Sequence, residues 1–233
     1  MSTSKAQSTG AQKGPLTLDA AARVLPAGDD ARAGDFWLLE ERADGSVYVV
    51  VGDVTGHGDQ AADCADKLRG LVLAAVPTAA SPCHLLEAAN NALMAPDSPP
   101  DLFATAAAVL LEDGGDVTWA YAGHLPPHRL DDGRPLDGAT PGLPLGVLPT
   151  VGCSSEGHAR LAAGDGMLLY TDGLEEARGP GGDRFGTARV THALAQIGGR
   201  SAEETVDTLA ALVCEFSEGD LSDDVCVVAF RLR

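Results

Sequence analysis

Asp35, Asp53, Asp172 and the adjacent pair Asp223 and Asp224 share one kind of location, the border of an apolar run. Asp35 precedes FWLLE, Asp53 follows VYVVVG, Asp172 follows MLLYT, and Asp223 and Asp224 precede VCVVAF. Carboxylates at strand ends can converge from distant parts of a chain on one edge of a sheet. Unneutralised, such a cluster repels itself, and a divalent cation reverses that balance. Donor sets made only of oxygen suit hard, water-retaining cations such as Mg²⁺ or Mn²⁺ and not zinc. Any one of these aspartates, taken alone, reads as a turn cap; the repeated placement is the informative feature. Gly34, Gly52, Gly56, Gly58 and Gly173 surround the same positions. Singly they are turn residues, and together they would let backbone approach a metal or phosphate with no Cβ in the way.

The elements that must position these groups follow from periodicity. Leu16, Leu18, Ala20, Ala22 and Val24 alternate with other residues, which predicts a first strand facing a core on one side. Phe36–Glu41 and Val47–Val51 follow as strands around an Asp44-Gly45 turn. Ala61, Ala65, Leu68, Val72 and Ala75 recur at helical spacing from about Gly58 to Val76. Ser81, a cap followed by Pro82, opens a second helix running to about Met94. Strands are expected at 102–111, 117–121, 127–130, 158–161 and 167–170, helices at 187–196 and from Ser201, where Glu204 completes a capping box, and a last strand at 225–232. Strands and helices come in runs, not in strict alternation, which favours largely antiparallel sheets covered by helices over a doubly wound sheet.

The 233 residues suffice for one domain with a substantial core. Residues 1–14, small and polar, read as a flexible tail ahead of a unit spanning 15–233, with no signal peptide. The formal charge of −18 repels nucleic acid backbones, and no apolar run is long enough to span a bilayer, so neither nucleic acid nor membrane is an expected partner. Five cysteines without a CxxC pair argue against a disulfide framework or thiolate zinc site and fit a reduced, cytoplasmic setting.

In order, the segments AGDFW, GDVTGHGDQAAD, DLFATA, YAGHLPP, LAAGDGMLLYTDGLEEAR and SDDVCVV resemble the PPM family of metal-dependent protein phosphatases, in its bacterial SpoIIE/RsbU/RsbX-like branch. The likeness runs from about Leu16 to Arg233, and DVTGHG and LLYTDGLEEAR are its most specific parts. It implies an α+β fold, a four-layer αββα sandwich of two mainly antiparallel sheets flanked by helices, with two divalent cations, Mn²⁺ or Mg²⁺, in a cleft at one sheet edge. Carried over by motif, Asp53 would bridge the metals, the Val54 carbonyl would help bind one, Asp35 would support the other, and Asp172 and Asp223 would complete the first. Asp224 is the competing choice to Asp223. The implied reaction is hydrolysis of phosphoserine or phosphothreonine by direct in-line attack of a metal-bridging hydroxide, without a phosphoenzyme. The implied substrate is a phosphorylated STAS-type protein, an anti-sigma-factor antagonist or stress-complex component; a homodimer is compatible with the sequence. Ala33 stands where the family usually has a second glycine and Leu38 where it has an aspartate, which bear on the positioning of Asp35 and on any extra metal site; Tyr121 and Cys226 also depart from the family's usual residues, and neither removes an implied ligand.

His57, in a Gly-His-Gly turn, reads equally as a proton donor to the leaving group and as a residue fixing the turn. His124, beside Pro126 and Pro127, reads as structural. Gly56–Ala61 also fits GxGxxA, but a dinucleotide site needs a parallel second strand ending in an acid, and the region that follows is LVLAAVPTAA. A further alternative from another class is a catalytically weak phosphatase-fold module that binds and regulates a partner.

Overall fold

The computed structural model describes residues 17–27, 32–56, 58–95, 103–153 and 155–233. The expected 1–14 tail, Leu16 and Leu102 lie outside the described residues, as does His57. Two antiparallel sheets carry the architecture. Strands β1 (Leu18–Leu25), β6 (His128–Arg129), β8 (Gly166–Tyr170) and β9 (Val225–Leu232) form one in the order β1-β9-β8-β6. Strands β2 (Asp35–Glu41), β3 (Val47–Val54), β4 (Ala104–Leu111), β5 (Asp116–Ala122) and β7 (Gly157–Arg160) form the other, in the order β2-β3-β4-β5-β7.

Strand periodicity sorts the apolar residues into three cores. Val49, Val51, Val109 and Trp119 face Met167, Leu169, Val228 and Phe230 between the sheets. The alternate residues Tyr48, Val50, Ala106 and Ala108 pack outward against α1 (Gly58–Ala75) and α2 (Pro82–Leu93). On the opposite outer face Leu168, Tyr170, Val225 and Val227 pack against α3 (Gly173–Glu176), α4 (Gly186–Ile197) and α5 (Ala202–Phe216). A strand buried on both faces needs apolar residues at consecutive positions, which is why β3 and β9 read as unbroken runs. The result is the expected four-layer αββα arrangement.

Local signals hold where they are strongest. Ser81 caps α2 by accepting from His84 N, and Ser201 and Glu204 form the reciprocal capping box of α5. Three expectations change. The first strand packs on both faces, partly buried: Leu18, Ala22 and Val24 lie against the inter-sheet core and Ala21 and Leu25 against the α4/α5 side, while Ala20, expected to face the core, is exposed. The one-turn helix α3, too short to leave a periodic signature, was not expected. Asp35 and Asp53 lie inside strands β2 and β3, not beyond their ends. The β3–α1 unit leads into α2 and then antiparallel β4, so the Gly56–Ala61 segment has no parallel strand beside it and the dinucleotide reading fails.

Candidate metal centre

The carboxylates come from two pairs of neighbouring strands, one in each sheet. In the five-stranded sheet, antiparallel register sets Asp35 of β2 directly opposite Asp53 of β3, and Asp53 opposite Thr105 of β4. In the four-stranded sheet, β8 pairs with β9, and Thr171 N donates to Cys226 O just beyond the last paired residues. Asp172 therefore leaves β8 at the sheet end where Asp223 and Asp224 enter β9.

Three hydrogen-bonded links hold the two ends together. Thr171 Oγ1 donates to Asp35 Oδ2 at 2.7 Å and accepts from Cys226 N at 2.8 Å, so one hydroxyl joins β8, β9 and β2. Asp224 accepts from Ala27 N at 2.7 Å on one oxygen and from Gly34 N at 2.6 Å on the other, which fixes the backbone immediately before Asp35. His124 spans the sheets at 2.7 Å from Thr105 Oγ1 and 3.1 Å from Tyr170 O. Burial pushes the His124 pKa down to about 4, so the ring is neutral. A carbonyl only accepts, so Nε2 carries the proton toward Tyr170 and Nδ1 accepts from the Thr105 hydroxyl. His124 is thus structural, as its sequence context suggests. Gly173 allows the closest approach: a Cβ there would overlap the Asp224 carbonyl oxygen.

The electrostatics are those of crowded acids. Burial first, and then the Asp53 charge, hold Asp35 well above the usual carboxylate range, against the opposing Thr171 hydrogen bond. Burial together with the charges of Asp172, Asp223 and Asp224 pushes Asp53 up to about 7. Asp172 is raised by burial and by Asp223 and Glu176. Among the described residues, none of the principal influences on these three groups is a cationic side chain. A cluster in this condition is neutralised by protons or by cations, and its all-oxygen donors match a hard divalent ion. Among the described residues no three acidic, histidine or cysteine side chains are drawn into coordination distance of one point; what they share is one sheet end and one another's field.

Asp35, Asp53, Asp172, Asp223 and Asp224 are therefore brought together. The Val54 side chain is in the α1/α2 core, so only its carbonyl can face the site; that oxygen lies against Gly34, where a Cβ would approach it to 3.1 Å. Asp224 is buried with both oxygens engaged by backbone, whereas Asp223 is exposed and accepts from Asp224 N. Leu38 is core, and Cys226 contributes its backbone N–H to Thr171. Thr171 is the positioning residue that sequence reasoning missed. It stands inside the LLYTDGLEEAR segment, but a threonine at a strand end gives no sign that its partner lies 136 residues away.

Comparison with known proteins agrees with this architecture. The chain is similar to the RsbU and RsbW domains of Rv1364c from Mycobacterium tuberculosis, at 28% identity and a TM-score of 0.74, over 94% of this chain and 60% of that one. It is similar to the PP2C phosphatase domain, with a fragment of the regulatory domain, of SpoIIE from Bacillus subtilis, at 16% identity and a TM-score of 0.78, over 93% of this chain and 64% of that one. It also matches RsbX in complex with magnesium, at 16% identity and a TM-score of 0.62, over 93% of this chain and 96% of that one. The first two relatives are longer chains, of which this one spans less than two thirds. The model of the family Stage II sporulation protein E (SpoIIE) matches residues 43–233, and with the PP2C fold observed here that match places the chain in the SpoIIE family.

Proposed function

We propose that this protein is a metal-dependent serine/threonine phosphatase acting on a phosphorylated partner protein. The observation that carries the reading is the gathering of Asp35, Asp53, Asp172 and Asp223 from two sheets at one end, where Asp35, Asp53 and Asp172 have raised pKa values, the Asp223 charge contributes to all three, and no cationic side chain among the described residues is a principal influence. Asp53, the Val54 carbonyl, Asp172 and Asp223 would hold two divalent cations, Mn²⁺ or Mg²⁺, with Asp35 supporting the second. Bound there, such cations would lower the pKa of an attacking water and neutralise charge on the phosphoryl oxygens.

The chain's own contribution is placement. Thr171 and Asp224 fix Asp35 and the backbone before it, Gly173 lets α3 close against β9, and neutral His124 locks β4 to β8 without adding charge. Asp223 is the ligand of its pair, because both oxygens of Asp224 are engaged by the backbone N–H groups of Ala27 and Gly34. His57, in the DVTGHG motif, would serve either as proton donor to the leaving group or as the residue that fixes the Gly-His-Gly turn.

The family branch, and a similar protein that joins RsbU and RsbW domains, support a STAS-type antagonist or stress-complex component as substrate, in a cytoplasmic setting. No helix among the described residues is long and apolar enough to cross a membrane. The test is hydrolysis of phosphorylated STAS proteins from the same genome with Mn²⁺, Mg²⁺ or chelator. Activity should require the cation and disappear in Asp53→Ala and Asp172→Ala. Undiminished turnover in those variants would refute the mechanism, and partner binding without any turnover would favour a binding module.

A further inference from the structure

Between α4 and α5, on the outer face of the four-stranded sheet, lies a cavity of about 640 Å³. Its floor is Phe185, Ile197 and Leu212, and its polar side chains include Arg189, His192 and Arg200. The helices cover one sheet and share the core of Val190, Leu194, Val206 and Leu209 beneath, but above that core they leave this space between them. It is separate from the acid cluster, and nothing in the phosphatase reading uses it.

Its charge runs against that of the chain. Acids outnumber lysine and arginine 34 to 16 in the sequence, yet none of the side chains lining the cavity is acidic and two are arginines. Arg189 is held in place: Nη1 donates to Arg184 O at 2.8 Å and Phe185 O at 2.9 Å, and the guanidinium lies 4.5 Å over the Phe216 ring. A guanidinium fixed by backbone and an aromatic face loses little freedom on meeting an anion, which favours binding. The volume falls in the range of small-molecule sites, and an apolar lining with a few placed polar groups is their usual composition.

We propose that this cavity is a binding site for a small amphipathic anion, an acyl carboxylate or similar molecule whose apolar body rests on Phe185, Ile197 and Leu212 while its charged head meets the arginines. Charge complementarity selects the occupant. The N-terminal residues 1–14 carry Lys5 and Lys13 and no acid, so they do not supply the matching charge.

The probe is dodecanoate, titrated calorimetrically into the full chain below its micelle concentration, with dodecyltrimethylammonium as the cationic control of equal length. Dodecanoate should bind with one-to-one stoichiometry and the cation should not. The double variant Arg189→Gln/Arg200→Glu should weaken dodecanoate at least about tenfold. Ala188→Trp, from an exposed position on the cavity rim, should abolish binding by filling the space without altering charge. Circular dichroism of each variant without ligand establishes that the fold is retained, and Ala188→Trp keeps the test decisive if the double variant is destabilised. Equal binding of anion and cation, or dodecanoate binding that survives Ala188→Trp, overturns the proposal. Binding of an acidic amphipathic peptide in place of dodecanoate overturns it in favour of a protein partner.

Discussion

Replacing Asp224 should damage the fold, whereas replacing its neighbour Asp223 should damage cation binding alone. Asp224 is buried, and its two oxygens accept from Ala27 N and Gly34 N at 2.7 and 2.6 Å. Asp224→Ala leaves both donors without an acceptor, and each orphaned buried donor costs about 1–3 kcal/mol. The Gly34 bond is buried and belongs at the upper end; the Ala27 bond is half-buried, where water can partly substitute. Removing the charge also relieves repulsion on Asp35 and Asp53, which offsets part of the loss. The net expectation is a destabilisation of about 3 kcal/mol. Asp224→Asn keeps one acceptor oxygen and the same relief of repulsion, so it should lose roughly half as much. Asp223→Ala removes an acceptor for Asp224 N but relieves repulsion on Asp35, Asp53 and Asp172; at an exposed position these opposed effects should leave it within about 0.5 kcal/mol of the parent in stability. Urea unfolding of the metal-free protein reads these differences as shifts of midpoint at constant slope, and Mn²⁺ titration of the same samples reads cation affinity. If Asp224→Ala costs less than about 1 kcal/mol while abolishing cation binding, and Asp223→Ala leaves that binding intact, Asp224 is the cation ligand and Asp223 the structural member of the pair.

Three other consequences concern the same sheet ends. Asp53 is raised to about 7 from an ordinary 3.8, so the metal-free protein should lose stability as pH rises through that interval. Asp53→Asn should then stabilise the metal-free protein at about pH 8 by on the order of 1–2 kcal/mol and remove the rise in melting temperature that Mn²⁺ gives the parent. An unchanged melting response would contradict the assignment. His124 has the opposite linkage: its pKa falls from 6.5 to about 4 on folding, so the unfolded chain takes up a proton first as pH falls. This histidine should cost about 2 kcal/mol of stability between about pH 7 and pH 5, measured as the difference between parent and His124→Gln in unfolding free energy at the two pH values. Thr171→Val removes a donor to Asp35 and an acceptor for Cys226 N. It should cost about 2 kcal/mol and lower turnover, with Thr171→Ser restoring both, as chemical unfolding and the phosphatase assay would show.

Much of the site was legible because its parts are locally encoded. Asp53 and Asp172 stand at the ends of runs whose both-face burial demands consecutive apolar residues, and the glycines around them mark close backbone approaches. Ambiguity between Asp223 and Asp224 arose because adjacent residues entering a strand have opposite orientations. The parity of β9 is fixed only when Val225 pairs with Leu25 and Val227 with Tyr170.

By itself the sequence determined the two kinds of period, the caps at Ser81 and Ser201, the antiparallel sheet class and the candidate acids. Tertiary structure alone decided which acids share a field, that Asp224 is tied to Ala27 and Gly34, and that Thr171 serves Asp35. It also decided that α4 and α5 diverge over a cavity edged by arginines. The physical reason is range. Periodicity and capping act over a few residues and leave their mark on neighbouring letters, whereas a hydrogen bond across 136 or 190 residues depends on how two sheets stack, which no short segment specifies.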